Sequence, residues 1–202
     1  MTNIEFVEKL KLALSLPSTY AFGAFGAPVE YDNNRERYQE NCINRGLPKQ
    51  AVNVRNAKDG TFLFDCVGLG KSILWGWNAD RNKRYGGAVY QSNNVPDFGA
   101  NSIYRYCPEM STDFSNPDNI PVGAWLWNPG HCGYHIGGGK VIECTVAWNS
   151  KVQQTDFNKR KWGKWGCIQF LTYKSEKEYI ALCKTVNPDL LNVPGVTVLY
   201  CE

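Results

Sequence analysis

The sequence predicts an α+β domain, with helices first and an antiparallel sheet second. Apolar residues recur at intervals of three and four as far as Trp77, whereas β-forming residues gather in short runs after Val122. Between two of those runs stands Gly137-Gly138-Gly139, a strong hairpin signal.

Each element follows from its local pattern. Residues 1–16 interleave Glu5, Glu8, Lys9 and Lys11 with Ile4, Val7, Leu10 and Leu14, which predicts an amphipathic helix capped by Thr2 or Asn3. It stops at Pro17, and the glycine- and aromatic-rich segment 18–26 reads as a loop. Tyr38, Cys42 and Ile43 predict a second helix over 35–45, closed by Gly46. Polar residues 48–60 read as a connection to the apolar run Thr61 to Phe64. From Asp65 onward, Leu69, Ile73 and Trp77 mark a buried helical stripe. Gly68 and Gly70 inside it would be costly in an exposed helix, so they imply close packing against another element. After a loop to Asn94, a short helix is expected over 100–107 and another loop over 111–119. Val122 to Trp127, Cys132 to Ile136, Lys140 to Trp148 and Cys167 to Tyr173 complete the chain as strand candidates.

Composition narrows the function. A chain of 202 residues can bury one sizeable core, and a net charge of +3 is too mild for a nucleic-acid binder. No apolar run approaches the length of a membrane span. Aromatic residues make up 13% of the chain and suggest a groove with broad contact surfaces. The charges in the first helix break the continuous apolar stretch a signal peptide needs, so synthesis in the cytoplasm without such a peptide is expected. In that reducing setting the eight cysteines read as buried thiols plus one reactive group, and no Cys-x-x-Cys spacing occurs. A monomer without a cofactor is expected.

Cys66 stands at the expected start of the buried helix, where the helix dipole and unpaired N–H groups favour a thiolate. His131 and His135 share one strand candidate, and either could hold such a thiolate and later protonate a leaving amine. Glu143 lies twelve residues after His131, across the glycine hairpin, where it can neighbour and orient the imidazole. By alternation Cys132 and Cys144 face the other way and read as core thiols. Each residue also has an ordinary structural reading, as a small buried hydrophobe or a satisfied core histidine. A metal site from His131, His135 and a thiol lacks three ligands at defined spacing, so no metal is expected.

These motifs resemble a known family. Asp65-Cys66-Val67-Gly68-Leu69 is similar to the Asp-Cys-Ser-Gly-Leu motif of NlpC-type papain-like cysteine hydrolases of bacterial cell walls. Gly130 to Gly137 with Gly139 to Glu143 resembles their histidine hairpin, and Tyr20 to Gly26 their Tyr-x-Trp-Gly-Gly segment. The long insert before the cysteine and the Trp-rich segment Lys161 to Gly166 bring the chain nearest to phage and prophage endolysins of Gram-positive hosts. The resemblance implies a papain-like fold and a catalytic domain over 1–173; beyond it, the apolar content of 174–202 predicts a C-terminal helix and strand packed on that domain, with a faint likeness to part of a wall-binding module. It makes Cys66 the nucleophile, His131 the base, Glu143 the orienting group, and Tyr20, Asp65 and Val67 substrate contacts. Val67 replaces the family's usual Ser and removes a hydroxyl from the amine-recognition position. Peptidoglycan is the implied partner, reached after release from the cell, and a stem-peptide or cross-bridge amide the implied bond. The alternatives are an amidase, a catalytically silent wall-binding module and an acyltransferase. Segment 158–164, with four basic groups and Trp162, reads as a solvated loop or a contact with anionic wall polymers.

Overall fold

A computed structural model of the chain describes residues 1–175 together with 177 and 178. Helix α1 spans Asn3–Ser15 and opens on a reciprocal cap. Thr2 Oγ1 accepts the Glu5 N–H at 3.2 Å, and Glu5 Oε2 accepts the Thr2 N–H at 2.8 Å. Its apolar face buries Phe6, Val7, Leu10 and Ala13.

The segment expected as a loop instead supplies two strands, β1 (Ser18–Tyr20) and β2 (Phe25–Pro28). Its glycines serve the turn between them, with Gly23 at φ +78°. Helix α2 (Asn34–Asn44) ends as predicted, with Gly46 at φ +73°. Helix α3 (Pro48–Arg55) occupies the stretch read as a polar connection. Pro48 presets its first turn, and only Gln50, Ala51 and Val54 are buried, too few to register as a stripe. Strand β3 (Phe62–Phe64) lies at the centre of a three-stranded sheet, parallel to β1 and antiparallel to β2.

Helix α4 (Cys66–Leu74) is buried along its whole length, and its glycines have the cause the sequence implied. A methyl group at Gly68 would collide with the Ala24 carbonyl oxygen, and one at Gly70 would lie 2.6 Å from the Tyr134 ring and 2.7 Å from Trp125. The Tyr134 hydroxyl accepts the Gly70 N–H at 2.8 Å and donates to the Cys66 carbonyl at 2.7 Å, sitting between two groups that a regular helix joins directly. Gly70→Ala is therefore expected to lower stability by about 1–3 kcal/mol, the usual cost of overpacking a core, despite alanine's better helix propensity. Chemical denaturation measures it, and an unchanged midpoint would contradict this packing.

The second half forms a six-stranded antiparallel sheet. Its strands are β4 (Met110–Ser111), β5 (Trp125–Asn128), β6 (His131–Gly137), β7 (Lys140–Cys144), β8 (Val152–Asp156) and β9 (Lys164–Gly166), in the order β4-β9-β5-β6-β7-β8. The β6–β7 hairpin turns on the three glycines as expected. Strand β8 escapes the sequence pattern because Gln153, Gln154 and Thr155 are polar, yet it pairs with all of β7. The last strand precedes the expected position. Residues 167–173 run irregularly, burying Ile168 and Leu171 and meeting the start of α1 through a Thr2–Thr172 bridge and the Asn3 N–H on the Thr172 carbonyl at 3.1 Å. Segment Ala100–Tyr106 is a 3-10 helix.

Helices α1 and α4 cover one face of this sheet, where Phe6, Leu69, Trp125, Tyr134 and Ile142 share a core. Leu126, Val141, Phe157 and Trp162 fill the other. The architecture is the predicted α+β arrangement, a cysteine-bearing helix packed on an antiparallel sheet. No helix among the described residues is long and apolar enough to cross a membrane. The C-terminal extension expected over 174–202 falls almost wholly outside the described residues.

Candidate active site

Asp65 ends β3's connection and begins α4. One carboxylate oxygen accepts the Gly68 N–H at 2.5 Å, and the other accepts the Gly23 N–H at 2.9 Å, tying the helix start to the β1–β2 turn. Burial, and then the adjacent Cys66, push its pKa up to about 7. Both oxygens thus already serve the fold, although the residue also lines the cleft. The Leu69 N–H goes to the Asp65 carbonyl, which leaves those of Cys66 and Val67 as the first-turn donors beside the cleft.

Cys66 is 7% exposed, with its Sγ directed at the Gly130 carbonyl 4.0 Å away. The Cys132 thiol against the sulfur lowers its pKa, burial opposes this, and His131 lowers it further, so it sits well below the usual thiol value. Cys132 is the expected core thiol, fully buried, and burial holds its own pKa well above the usual thiol value. It lies on the buried face, as alternation requires, where its thiol approaches the Tyr134 hydroxyl at 3.8 Å below the tip of α4. Cys144 is a core thiol, donating to the Phe64 carbonyl at 3.3 Å. The cysteines among the described residues are free thiols.

His131 and Glu143 meet across the hairpin as the spacing predicts, with Nε2 at 2.6 Å from Oε2. Nδ1 is then the nitrogen left to face Cys66. Burial depresses the His131 pKa, but Cys66 and Glu143 outweigh it and hold the value above that of free imidazole. Glu143 is fully buried and satisfied by three side chains. Besides His131, Thr155 Oγ1 donates to Oε1 at 2.9 Å and Arg160 Nη2 donates to Oε2 at 3.0 Å. Burial would raise its pKa, and these partners reverse the shift to below the ordinary carboxylate value.

Segment 158–164 is neither a plain solvated loop nor a free basic patch. Trp162 is buried and stacks on His131, with ring centroids 5.8 Å apart and planes at 17°, while Arg160 reaches the Glu143 carboxylate. The basic pattern concealed this, because an arginine aimed at a buried glutamate has the same sequence signature as a solvated one. His135 has no place in the cluster. It is buried with Nδ1 3.3 Å from the Pro121 carbonyl, so the alternative metal site with His131 is not assembled. Among the described residues no group of His, Cys, Asp and Glu is placed to cage a metal ion.

A cleft of about 420 Å³ opens at Cys66, and Tyr20, Asp65 and Val67 all line it. Tyr20 is largely buried, and its phenol is pushed upward in pKa by burial and by neighbouring Asp65 and Cys66. Phe22, Arg45, Lys71, Asp97, Phe98 and Asn101 also line it, and of these only Phe22 lies in a motif that the sequence singled out. Asn101 Oδ1 accepts the Gly130 N–H at 2.6 Å and thereby steadies the turn ahead of His131.

A depressed thiol and a raised imidazole predict a bell-shaped kcat/KM profile. As pH rises through the lowered Cys66 pKa the thiolate forms and the rate climbs; above the raised His131 pKa the imidazolium is lost and the rate falls. Cys132→Ala removes the contact that most favours the thiolate, so the acid limb is expected to move to higher pH. An unmoved limb in stopped-time assays across pH would show that Cys132 does not tune the nucleophile.

No family profile and no curated protein matches the chain. Two solved structures share part of its fold, each at 15% identity over 85% of this chain with a TM-score of 0.42. One is the peptidoglycan hydrolase RipB from Mycobacterium tuberculosis, of which 66% is covered, just under two thirds of its length. The other is the P60 domain of antigen MAP1204 from M. avium subspecies paratuberculosis, of which 96% is covered.

Proposed function

We propose that this protein is a papain-like cysteine hydrolase that cleaves an amide bond of peptidoglycan. The observation that carries the chemistry is Cys66 on the cleft wall at the start of α4, with the His131–Glu143 pair, 2.6 Å apart, in the adjoining hairpin. The Cys66 thiolate attacks the amide carbon, and the Cys66 and Val67 N–H groups receive the charge that develops on the carbonyl oxygen. The His131 imidazolium gives its proton to the departing amine. A water molecule, deprotonated by the now neutral His131, hydrolyses the thioester and releases a carboxylic acid. Glu143 keeps the imidazole in place and stabilises its charged form.

The substrate reading rests on the resemblance of the Asp65–Leu69, Gly130–Glu143 and Tyr20–Gly26 motifs to NlpC-type hydrolases. Within it we favour an endopeptidase acting on a stem peptide or cross-bridge, in the manner of an endolysin that reaches the wall after release from the cytoplasm. Digestion of purified cell walls followed by mass spectrometry identifies the bond. A new amine within the peptides marks an endopeptidase, and a new amine on the alanine next to muramic acid marks an amidase. Walls that yield no new amine would overturn the reading.

A further inference from the structure

We propose that Arg45, seated on Phe22, is a carboxylate-binding point in the wall of the Cys66 cleft, and that it makes the enzyme selective for anionic peptides. This deepens the peptidoglycan reading and rests on it. The cleft carries four charged side chains, Arg45, Asp65, Lys71 and Asp97. Three already have partners. Asp65 accepts two backbone N–H groups, and Lys71 pairs with Asp97, which also accepts the Tyr90 hydroxyl at 2.9 Å. Arg45 has no ion pair among the described residues.

Arg45 is exposed, and its backbone and the Phe22 ring position it. It is the C-terminal cap residue of α2, with its N–H on the Asn41 carbonyl at 3.1 Å, where the negative end of the helix dipole favours a cation. Its guanidinium carbon lies 4.8 Å from the centre of the Phe22 ring. The Phe22 N–H in turn contacts the Cys42 sulfur of α2 at 3.4 Å, so platform and cation belong to one unit. A guanidinium stacked on an aromatic face keeps its N–H edge available, and that fork matches the two oxygens of a carboxylate. A planar anion on a residue near the scissile amide suits this arrangement better than a neutral side chain or an amine.

The test compares two synthetic stem peptides that differ only in whether the residue beside the cleaved amide bears a carboxylate or the corresponding carboxamide. The wild-type chain is expected to favour the carboxylate about 10- to 100-fold in kcat/KM, the range of one hydrogen-bonded interaction with a charged group. Arg45→Gln should erase the preference by slowing only the carboxylate peptide, and Arg45→Lys should restore part of it. Equal cleavage of both peptides by the wild type, or an intact preference in Arg45→Gln, would overturn the inference while leaving the hydrolase reading standing. Calorimetric binding to Cys66→Ala separates the two claims. Carboxylate-selective binding that depends on Arg45, without cleavage by the wild type, would remove the reaction and keep the subsite. Absence of both binding and cleavage would remove both.

Discussion

Cys66→Ala is expected to abolish amide hydrolysis, with a loss on the order of 10⁵- to 10⁶-fold, the scale seen when a covalent nucleophile is removed from a constellation that works as a unit. The residual rate would come from the two N–H donors and from binding alone. The same change should affect stability little. It removes one sulfur at the edge of the core beside an open cleft, so about 1 kcal/mol or less is expected in denaturant unfolding. Release of new amines from purified walls, measured beside an unfolding curve, separates lost chemistry from lost structure. Lysis by a well-folded Cys66→Ala protein at the wild-type rate would dispose of thiol catalysis.

Glu143→Ala carries the second largest effect, and it is expected to damage both activity and fold. The carboxylate accepts from His131, Thr155 and Arg160 while fully buried, so its removal strands a histidine N–H and a guanidinium that water reaches poorly. Breaking a buried charged pair from one side costs about 3–5 kcal/mol, at the lower end here because Arg160 retains 24% of its side-chain exposure. Activity should fall by about 10³- to 10⁴-fold, since the orienting member of a triad fixes tautomer and charge together. Glu143→Gln keeps an acceptor for His131 but loses the negative charge, so it should recover stability more fully than rate. It should also shift the basic limb of the pH profile to lower pH, because the imidazolium loses its counter-charge. If Glu143→Gln matched the wild type in both rate and pH profile, the carboxylate would be only a structural support.

The positions of Cys66, His131 and Glu143 were legible in the sequence because each depends on short-range geometry. The position of Cys66 follows from an N-cap and a helical stripe, and the pairing of His131 with Glu143 follows from a hairpin whose turn is written in three glycines. What supports them was not legible. Arg160 and Trp162 reach the pair from a segment whose polarity suggested solvent, and their role comes from where β8 and β9 place the loop between them. Cys132 was rightly read as a core thiol, but its neighbour was not legible. Alternation assigns a side chain to a face of the sheet but says nothing of what covers that face, and here it is the tip of α4. Helix α3 and strand β8 were missed because they bury only a few residues each amid polar neighbours.

The hydroxyl of Tyr134, inserted between Cys66 and Gly70, joins the strand that carries His131 to the helix that carries Cys66, from within the core. Helix and strand are thus clamped from behind by a single side chain. Under the proposed mechanism, such a clamp would present nucleophile and base already assembled. Discrimination among substrates then falls to the rim, to what the walls accept before the sulfur is reached.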